Sequence, residues 1–389
     1  MTPQILVCGA GIVGLSTALA LARRQQRVTL LAPRAQLAPA EPDVYHPRVY
    51  AISPASQRFL AQLGIWDAIP EARLTPVRGM EIYGDGDGRV ELKAWQAAHE
   101  QLAWIVESGE IERVLLQAVR MFGIPWIEAR ATGWRPGEIE TDAGQRIAAE
   151  LFIGADGAAS PLRTAAGLKH EARSYGDIGL VVHLDAELPH HGTALQWFRD
   201  DGVLALLPLP DTRDGSQVSM VWSMREAQAR ELLALPAGEQ AAQLERRLQE
   251  ASQQRLGRLR VRSRLHGFPL TLEQSQPVAP GIALVGDAAH RLHPLAGQGL
   301  NMGLGDVEAL ARVIAEREPY RAAGDLRVLR RYQRARAEPV AAMRLATDGL
   351  HRLFAAHNAP MAFLRNAGMR LVDDLPFLKR HLIEQASRN

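Results

Sequence analysis

The amino-acid sequence predicts an α/β protein with a Rossmann-like domain, an inserted antiparallel sheet and a C-terminal helical region. Short apolar segments that run up to a glycine, at residues 5–8, 151–153 and 282–285, are typical of buried parallel strands. Between the last two, residues 171–275 contain alternating patterns and turn clusters, which predict antiparallel strands. Beyond Asp306 the pattern is helical to the end of the chain.

The composition limits the classes of function. A chain of 389 residues with 47% hydrophobic residues can bury a large core, and a net charge of +2 does not favour nucleic acid as a partner. The single cysteine, Cys8, excludes an internal disulfide framework and a cysteine-based metal site. Residues 5–22 are apolar, but three glycines interrupt them and no basic segment precedes them. We therefore expect a cytoplasmic protein.

Charge is unevenly distributed along the chain. From Arg312 to Asn389, fifteen lysine and arginine residues stand against eight aspartate and glutamate residues. This basic region is expected either to contact an anionic surface or to present the solvated face of ordinary helices.

Residues 281–306 are the stretch on which the rest of the chain depends. A buried strand is predicted at 282–285, and Asp287 follows its carboxyl end, where open α/β sheets bind ligands. Four glycines let the backbone approach a flat ligand, and a helix beginning near Leu300 directs its positive N-terminal end to the same place. A carboxylate for sugar hydroxyls beside amides that stabilise a delocalised anion is what a reduced flavin requires. The stretch therefore predicts a flavin site.

A second motif predicts a dinucleotide-binding turn near the N terminus. The strand at residues 5–8 is followed by the glycines of a GxGxxG pattern, Gly9, Gly11 and Gly14. The first glycine allows a tight bend, the second lets pyrophosphate approach, and the third lets helix and strand pack. A strand at 27–31 completes the βαβ unit, but Ala32 stands where an acid for the ribose hydroxyls is expected. Arg34 is expected to compensate partly by reaching a ribose oxygen or the adenine.

The motif from Gly286 to His290, GDAAH, is followed at His293 by HPLAGQGLNMG. This pattern closely resembles that of the aromatic-hydroxylating (class A) flavoprotein monooxygenases, most closely their ubiquinone-biosynthesis branch. The resemblance implies FAD as the cofactor. It implies that five residues act at the reacting part of the flavin, namely His293, Pro294, Gly297, Gln298 and Gly299. It also implies cofactor binding by Gly286, Asp287, Gly299, Leu300 and Asn301.

Further segments resemble parts of the same family. Arg48 is expected to reach the pyrophosphate or the flavin edge, and the alternative is a surface arginine that caps the following helix. Ser108 stands where relatives carry asparagine or glutamine, and its hydroxyl is expected to donate one hydrogen bond to the cofactor. Asp156 and Gly157 are expected to brace a turn near the flavin, and Arg163 to meet phosphate.

A metal site is the alternative interpretation of His290 and His293. The two histidines lie in a glycine-rich loop instead of a helix, and no cysteine is near them. For these two reasons we expect no metal.

The motifs in this order imply an FAD-dependent monooxygenase that uses NAD(P)H and O2. The substrate that the resemblance implies is the aromatic ring of a polyprenyl phenol or quinol of ubiquinone biosynthesis. Two alternatives stay open. One is a hydroxylase of another aromatic compound; the other is a non-catalytic subunit that organises a complex of ubiquinone-biosynthesis proteins, motivated by the departures at Ala32 and Ser108.

The order of the motifs predicts a discontinuous FAD-binding domain over residues 1–75, 100–170 and 276–340. Residues 76–99 and 171–275 are expected to form the substrate domain, and residues 341–389 the C-terminal helical region. The basic region from Arg312 to Asn389 is the candidate for contact with the inner face of a membrane, where a polyprenyl substrate resides, and a solvated helix face stays the alternative. Candidates to line an apolar pocket, each of them also consistent with ordinary core, are Trp197, Phe198, Met220, Trp222, Met224, Phe268 and Pro269.

Overall fold

The computed structural model describes residues 4–34, 43–84, 88–199, 201–292 and 298–355, and also 373, 375, 377–380 and 383–384. The helices are α1 (Ile12–Arg23), α2 (Pro54–Gln62), α3 (Ser108–Met121), α4 (Pro161–Ala165), α5 (Glu226–Ala234), α6 (Ala237–Ala251), α7 (Gly299–Ala315) and α8 (Leu326–Ala355). The first strands are β1 (Ile5–Cys8), β2 (Val28–Leu31), β3 (Val49–Ile52), β4 (Leu74–Val77), β5 (Gly79–Tyr83), β6 (Arg89–Lys93), β7 (Ala103–Glu107), β8 (Trp126–Ile127), β9 (Ala131–Arg135), β10 (Glu138–Thr141), β11 (Arg146–Ala148) and β12 (Leu151–Gly154). The later strands are β13 (His170–Ala186), β14 (Thr193–Arg199), β15 (Gly202–Thr212), β16 (Gly215–Arg225), β17 (Leu259–Val261), β18 (His266–Ser275), β19 (Val278–Ala279), β20 (Ile282–Leu284) and β21 (His290–Arg291).

A six-stranded sheet in the order β19-β20-β12-β1-β2-β8 forms the Rossmann-like part. All its pairs are parallel except β19 with β20. The central strands are buried along their whole length, as their apolar composition predicts. Cys8 lies level with Gly154, and Gly154 with Leu284, so the three segments that follow these strands leave the sheet side by side. The predicted α/β fold and its glycine-terminated strands are confirmed.

A nine-stranded sheet forms the second large layer, in the order β21-β18-β13-β16-β15-β14-β5-β6 with β17 beside β13. The hairpin β5–β6 joins it through a parallel pairing with β14. One face of the sheet packs on α5 and α6, where Trp222 and Met220 are buried against Leu244 and Leu248. The other face packs against the small sheet β3-β7-β4. This small sheet lies between that face and the Rossmann-like part.

The alternation along this sheet decides which candidate pocket residues are core. Trp197, Met220, Trp222 and Met224 are fully buried in the cluster that includes α5 and α6. They fill that core, so the prediction that they line a substrate pocket is corrected. Phe198 points to the opposite face of the sheet because successive side chains alternate.

Three features differ from what the sequence predicts. Among the strands predicted within residues 171–275, a single one is expected over 259–269; the structure has two strands there, since β17 and β18 pair with different parts of β13. The helix α5 was not predicted, because its short sequence carries a weak apolar stripe. In the C-terminal part, α8 continues through residue 340, where a domain boundary was predicted, and it contains Pro339. Among the described helices, none is long and apolar enough to cross a membrane.

Candidate active site and cofactor cradle

The loops after β1 and β12 touch at the carboxyl edge of the six-stranded sheet. Gly9 has a φ of +113°, and a Cβ built on it would lie 2.2 Å from the carbonyl oxygen of Ala155. A Cβ on Gly14 would lie 2.1 Å from the carbonyl oxygen of Gly9. Both positions therefore require glycine, as the dinucleotide-binding motif predicts.

The GxGxxG motif near the N terminus and the motif from Gly286 to Gly303 meet at Val13. A Cβ on Gly286 would approach Val13 Cγ1 to 3.1 Å, and a Cβ on Gly303 would approach its Cγ2 to 2.8 Å. The start of α1, the turn after β20 and the start of α7 are therefore packed together. Motifs nearly 300 residues apart in sequence form one site.

Two helices direct free N-terminal ends into this site. Neither Gly11 before α1 nor Gln298 before α7 supplies a side-chain cap, and neither first turn contains an acid. Their first N–H groups are thus available to an anionic ligand. A Cβ on Gly11 or Gly299 would meet no described atom within 4 Å, so the described residues leave room for a ligand beside both glycines. This arrangement fits FAD, with the pyrophosphate at α1 and the flavin at α7.

Asp287 lies half-buried at the edge of the open space. It makes no hydrogen bond or ion pair with the described residues. Its charge nevertheless acts on Tyr50: burial, aided by Asp287 and Glu112 and opposed by Arg48, raises the pKa of Tyr50 to about 12. The Arg48 guanidinium lies over the Tyr50 ring at 5.2 Å. One polar patch therefore contains Arg48, Tyr50 and Asp287. The Asp287 carboxylate is left to accept hydrogen bonds from a ligand.

Ser108 is bonded to the protein itself. Its Oγ lies 2.8 Å from Nδ1 of His46, and the same Nδ1 accepts from the backbone N–H of Arg48 at 3.2 Å. Because Nδ1 accepts from Arg48, Ser108 is the donor to it. The hydroxyl expected to reach the cofactor thus fixes His46, and its contact with FAD stays a prediction. Sequence reasoning missed His46, since it lies in no motif.

Asp156 and Arg163 brace the loops beneath the cofactor cradle, which is the site formed by the starts of α1 and α7 and the turn after β20. Asp156 Oδ2 accepts from the backbone N–H of Leu162 at 3.1 Å, while Oδ1 is buried with no partner among the described residues. Burial raises the pKa of Asp156. The buried Arg163 donates to the carbonyls of Ala158 at 2.6 Å and Ala288 at 3.2 Å.

The guanidinium of Arg163 therefore ties the loop after β12 to the turn after β20. Its predicted contact with phosphate stays a prediction, as does the place of Gly157, which has a φ of +84° and open space beside it.

Asn301 anchors α7 to the strand that precedes α2. Its Oδ1 accepts from the N–H of Ser53 at 3.1 Å, and its Nδ2 donates to the carbonyl of Ala51 at 2.8 Å and to Gln298 at 3.1 Å. Leu300 is buried in the main core. Both residues hold the first turn of α7 in place. Their contact with FAD stays a prediction.

A buried charged group supports the turn that carries Asp287. Asp306 Oδ2 accepts from the N–H of Gly286 at 3.0 Å and lies 2.7 Å from Nε2 of His290, while Oδ1 lies 2.7 Å from Nε of Arg336. Asp306 is 0% exposed. Sequence reasoning missed this trio, although an aspartate on the apolar side of α7 was a signal for it. Among the described residues, no cluster of three or more His, Cys, Asp or Glu side chains could hold a metal ion.

The structure describes only some of the remaining predicted site residues. His293, Pro294 and Gly297 fall outside the described residues, whereas Gln298 and Gly299 begin α7. Arg34 lies beyond β2, pairs with Glu128 at 2.6 Å and lies over the Trp126 ring at 5.4 Å.

Replacing Gly299 by valine is expected to weaken FAD binding by roughly tenfold or more, because the side chain would fill the space where the flavin must approach the helix. The matched control is Gly238→Val, since Gly238 also lies in the first turn of a helix with no atom within 4 Å of a built Cβ. Both variants should show similar thermal stability. Titrating FAD into each apoprotein measures the difference, and equal FAD affinity in the two variants would place the flavin elsewhere.

Comparison with known proteins agrees with this geometry. The sequence profile of the family described as "FAD binding domain" matches residues 2–346. The chain is 34% identical to 3-demethoxyubiquinol 3-hydroxylase of Escherichia coli K12 over 98% of both chains. It is also 34% identical to ubiquinone hydroxylase UbiL of Rhodospirillum rubrum, over 98% of this chain and 89% of that one.

Solved structures show the same fold. p-Nitrophenol 4-monooxygenase PnpA from Pseudomonas putida matches with a TM-score of 0.78 at 18% identity, covering 100% of this chain and 98% of that one. PqsL of Pseudomonas aeruginosa, in complex with 2-aminobenzoylacetate, matches with a TM-score of 0.76 at 23% identity, over 95% and 100%.

These comparisons confirm the predicted FAD-dependent monooxygenase class and the resemblance to ubiquinone-biosynthesis hydroxylases. They also agree with the cradle, whose open helix ends and glycine turns fit a flavin dinucleotide. The chain belongs to the FAD binding domain family, and FAD is its cofactor.

Proposed function

We propose that the protein hydroxylates the aromatic ring of a polyprenyl phenol or quinol in ubiquinone biosynthesis, with O2 as oxidant and NAD(P)H as reductant. The observation that carries the proposal is the likeness to named ubiquinone hydroxylases over almost the whole chain. Bound FAD supplies the redox chemistry, and the protein binds the reactants, orients them and excludes water. Hydroxylation of another aromatic compound is the alternative activity within the same enzyme class.

The sheet face that looks toward the Rossmann-like part supplies polar groups for such a substrate. His183 on β13 and Ser219 on β16 are paired in register, so their side chains lie on the same face. This is the face of Leu207 and Leu209, which pack toward β3, β7 and β4. Nδ1 of His183 and Oγ of Ser219 are both buried without a hydrogen-bond partner in the described part of the chain. Buried polar atoms normally have partners, so a ligand hydroxyl is a suitable occupant.

His183 has the protonation state that a phenol requires. Its Nε2 lies 2.9 Å from the carbonyl oxygen of His46, so Nε2 carries the proton and Nδ1 is an acceptor. Burial lowers the pKa of His183, which keeps the imidazole neutral near pH 7. A phenol that donates its hydroxyl proton to this nitrogen has a more electron-rich ring, which favours oxygen transfer to carbon.

We also propose a cytoplasmic protein that contacts a membrane peripherally. The basic excess from Arg312 to Asn389 supports this, since each cation near an anionic surface contributes about 1 kcal/mol. A polyprenyl substrate would be delivered from the same membrane.

The test is turnover of a short-chain prenyl quinol by the purified FAD-loaded protein under isotopically labelled O2. We expect quinol-dependent oxidation of NADH or NADPH and one labelled oxygen atom on the product ring, measured by mass spectrometry. His183→Phe should retain FAD but lose most of this turnover. Labelled product from simple phenols alone would favour another aromatic hydroxylase, and a protein purified without flavin would favour the non-catalytic alternative.

A further inference from the structure

The adenosine end of the cofactor site lacks its expected acid. In dinucleotide-binding βαβ units an acidic residue at the end of the second strand accepts hydrogen bonds from the ribose hydroxyls. Here β2 ends at Leu31, and the next residue is Ala32. Ala32 is 4% exposed, and its carbonyl oxygen accepts from Nε1 of Trp126 at 2.7 Å. This position offers a ribose no acceptor.

The neighbouring strand places a carboxylate beside that position. β8 runs parallel to β2, with Leu31 level with Ile127, and the N–H of Ala32 donates to the carbonyl of Ile127 at 3.1 Å. Ala32 directly follows β2 and Glu128 directly follows β8, so the two residues leave the sheet next to each other. The N–H of Ala129 donates to the carbonyl of Ile127 at 3.1 Å, so the chain turns at Glu128 as it leaves the sheet. Glu128 therefore lies at the edge of the sheet next to the position at which the acid is expected.

One contact orients this carboxylate, and a second orients its arginine partner. Nε of Arg34 lies 2.6 Å from Oε1 of Glu128, and the Arg34 guanidinium lies over the Trp126 ring at 5.4 Å. Trp126 is itself fixed by its hydrogen bond to Ala32. The second oxygen of Glu128 makes no hydrogen bond within the described residues, and the side chain is 60% exposed. A carboxylate oriented by arginine with one oxygen free is suited to accept from a sugar diol.

We propose that Glu128 replaces the missing acid and accepts hydrogen bonds from the adenosine ribose of FAD, with Arg34 as its positioning residue. The acceptor has moved from the end of β2 to the end of β8, one strand away. The pairing with Glu128 also engages Arg34, so this arginine, among the described residues, is not free to bind a ribose phosphate. The inference rests on FAD as the cofactor and is independent of the substrate.

Glu128→Gln tests the assignment, because it keeps the shape of the side chain and removes its charge. Apoprotein is titrated with FAD, with FMN, which lacks the adenosine, and with ADP, which lacks the flavin. We expect the dissociation constants for FAD and ADP to rise roughly three- to tenfold, since the carboxylate is more than half exposed, while that for FMN is unchanged. In the Glu128→Gln background, Ala32→Glu should recover FAD affinity.

The matched control is Glu138→Gln. Glu138 also pairs with an arginine, Arg146, at 3.7 Å on the small sheet β9–β11, and this variant should bind all three ligands as the wild type does. Unchanged FAD and ADP affinity in Glu128→Gln would overturn the assignment, as would an equal loss for FMN. Wild-type apoprotein without affinity for FAD would overturn both the inference and the FAD assignment beneath it.

Discussion

Replacing Asp306 by alanine is expected to lower the free energy of unfolding by about 3–5 kcal/mol. The substitution leaves His290 and Arg336 without their common partner in a buried site, and the N–H of Gly286 without an acceptor. Denaturant unfolding of the apoprotein measures the loss. The matched control is Asp201→Ala, since Asp201 pairs with Arg199 at 3.0 Å while both side chains are about one-third exposed. That pair should contribute about 1 kcal/mol or less.

The loss in Asp306→Ala should also depend on pH. Burial lowers the pKa of His290, but the adjacent Asp306 carboxylate more than offsets this, so the pKa is raised. Burial raises the pKa of Asp306, but His290 and Arg336 together lower it below its ordinary value. The histidine contribution is complete below its unfolded pKa of 6.5 and is lost as pH rises through the raised folded value. The aspartate contribution is complete above its unfolded pKa of 3.8 and is lost as pH falls through the lowered folded value.

The difference in unfolding free energy between wild type and Asp306→Ala is therefore expected to be largest between about pH 4 and about pH 6.5. Unfolding curves at several pH values measure it. A difference that stays constant well above pH 7 would show that His290 does not carry a proton in the folded protein.

Asp287→Ala is expected to cost about 1.5–3 kcal/mol of cofactor binding, or roughly ten- to a hundredfold in affinity. Asp287 follows a strand end at the cradle, and its carboxylate has no partner among the described residues, so a ribityl hydroxyl is its natural donor. Because Asp287 has no partner among the described residues, the Asp287→Ala apoprotein should be as thermally stable as the wild-type apoprotein.

Binding of FMN separates this effect from that of Glu128. Asp287→Ala should weaken FAD and FMN alike, because both carry the ribityl chain, whereas ADP binding should be unaffected. Glu128→Gln should instead weaken the binding of FAD and ADP and leave FMN binding unchanged. If Asp287→Ala retains FAD at wild-type occupancy, the carboxylate does not contact the cofactor.

Local spacing in the sequence determined the cofactor turns. The bend at Gly9, the packing position at Gly14 and the glycines at Gly286 and Gly303 follow from short motifs beside apolar strands. Such motifs are readable because the required backbone conformation and close approach depend on a few consecutive residues. The α/β fold, the inserted sheet and the flavin cofactor could be predicted for the same reason.

Only the tertiary structure decided which side chains are partners. Asp306 meets Arg336 across two helices, and Ser108 meets His46 across 62 residues. Trp222 packs inward on α6 because of the face of β16 on which it lies. Glu128 lies next to Ala32 because β2 and β8 pair side by side and the chain leaves both strands at these residues. Sequence periodicity carries no information on such register and packing, because they are set by contacts between segments far apart in the chain.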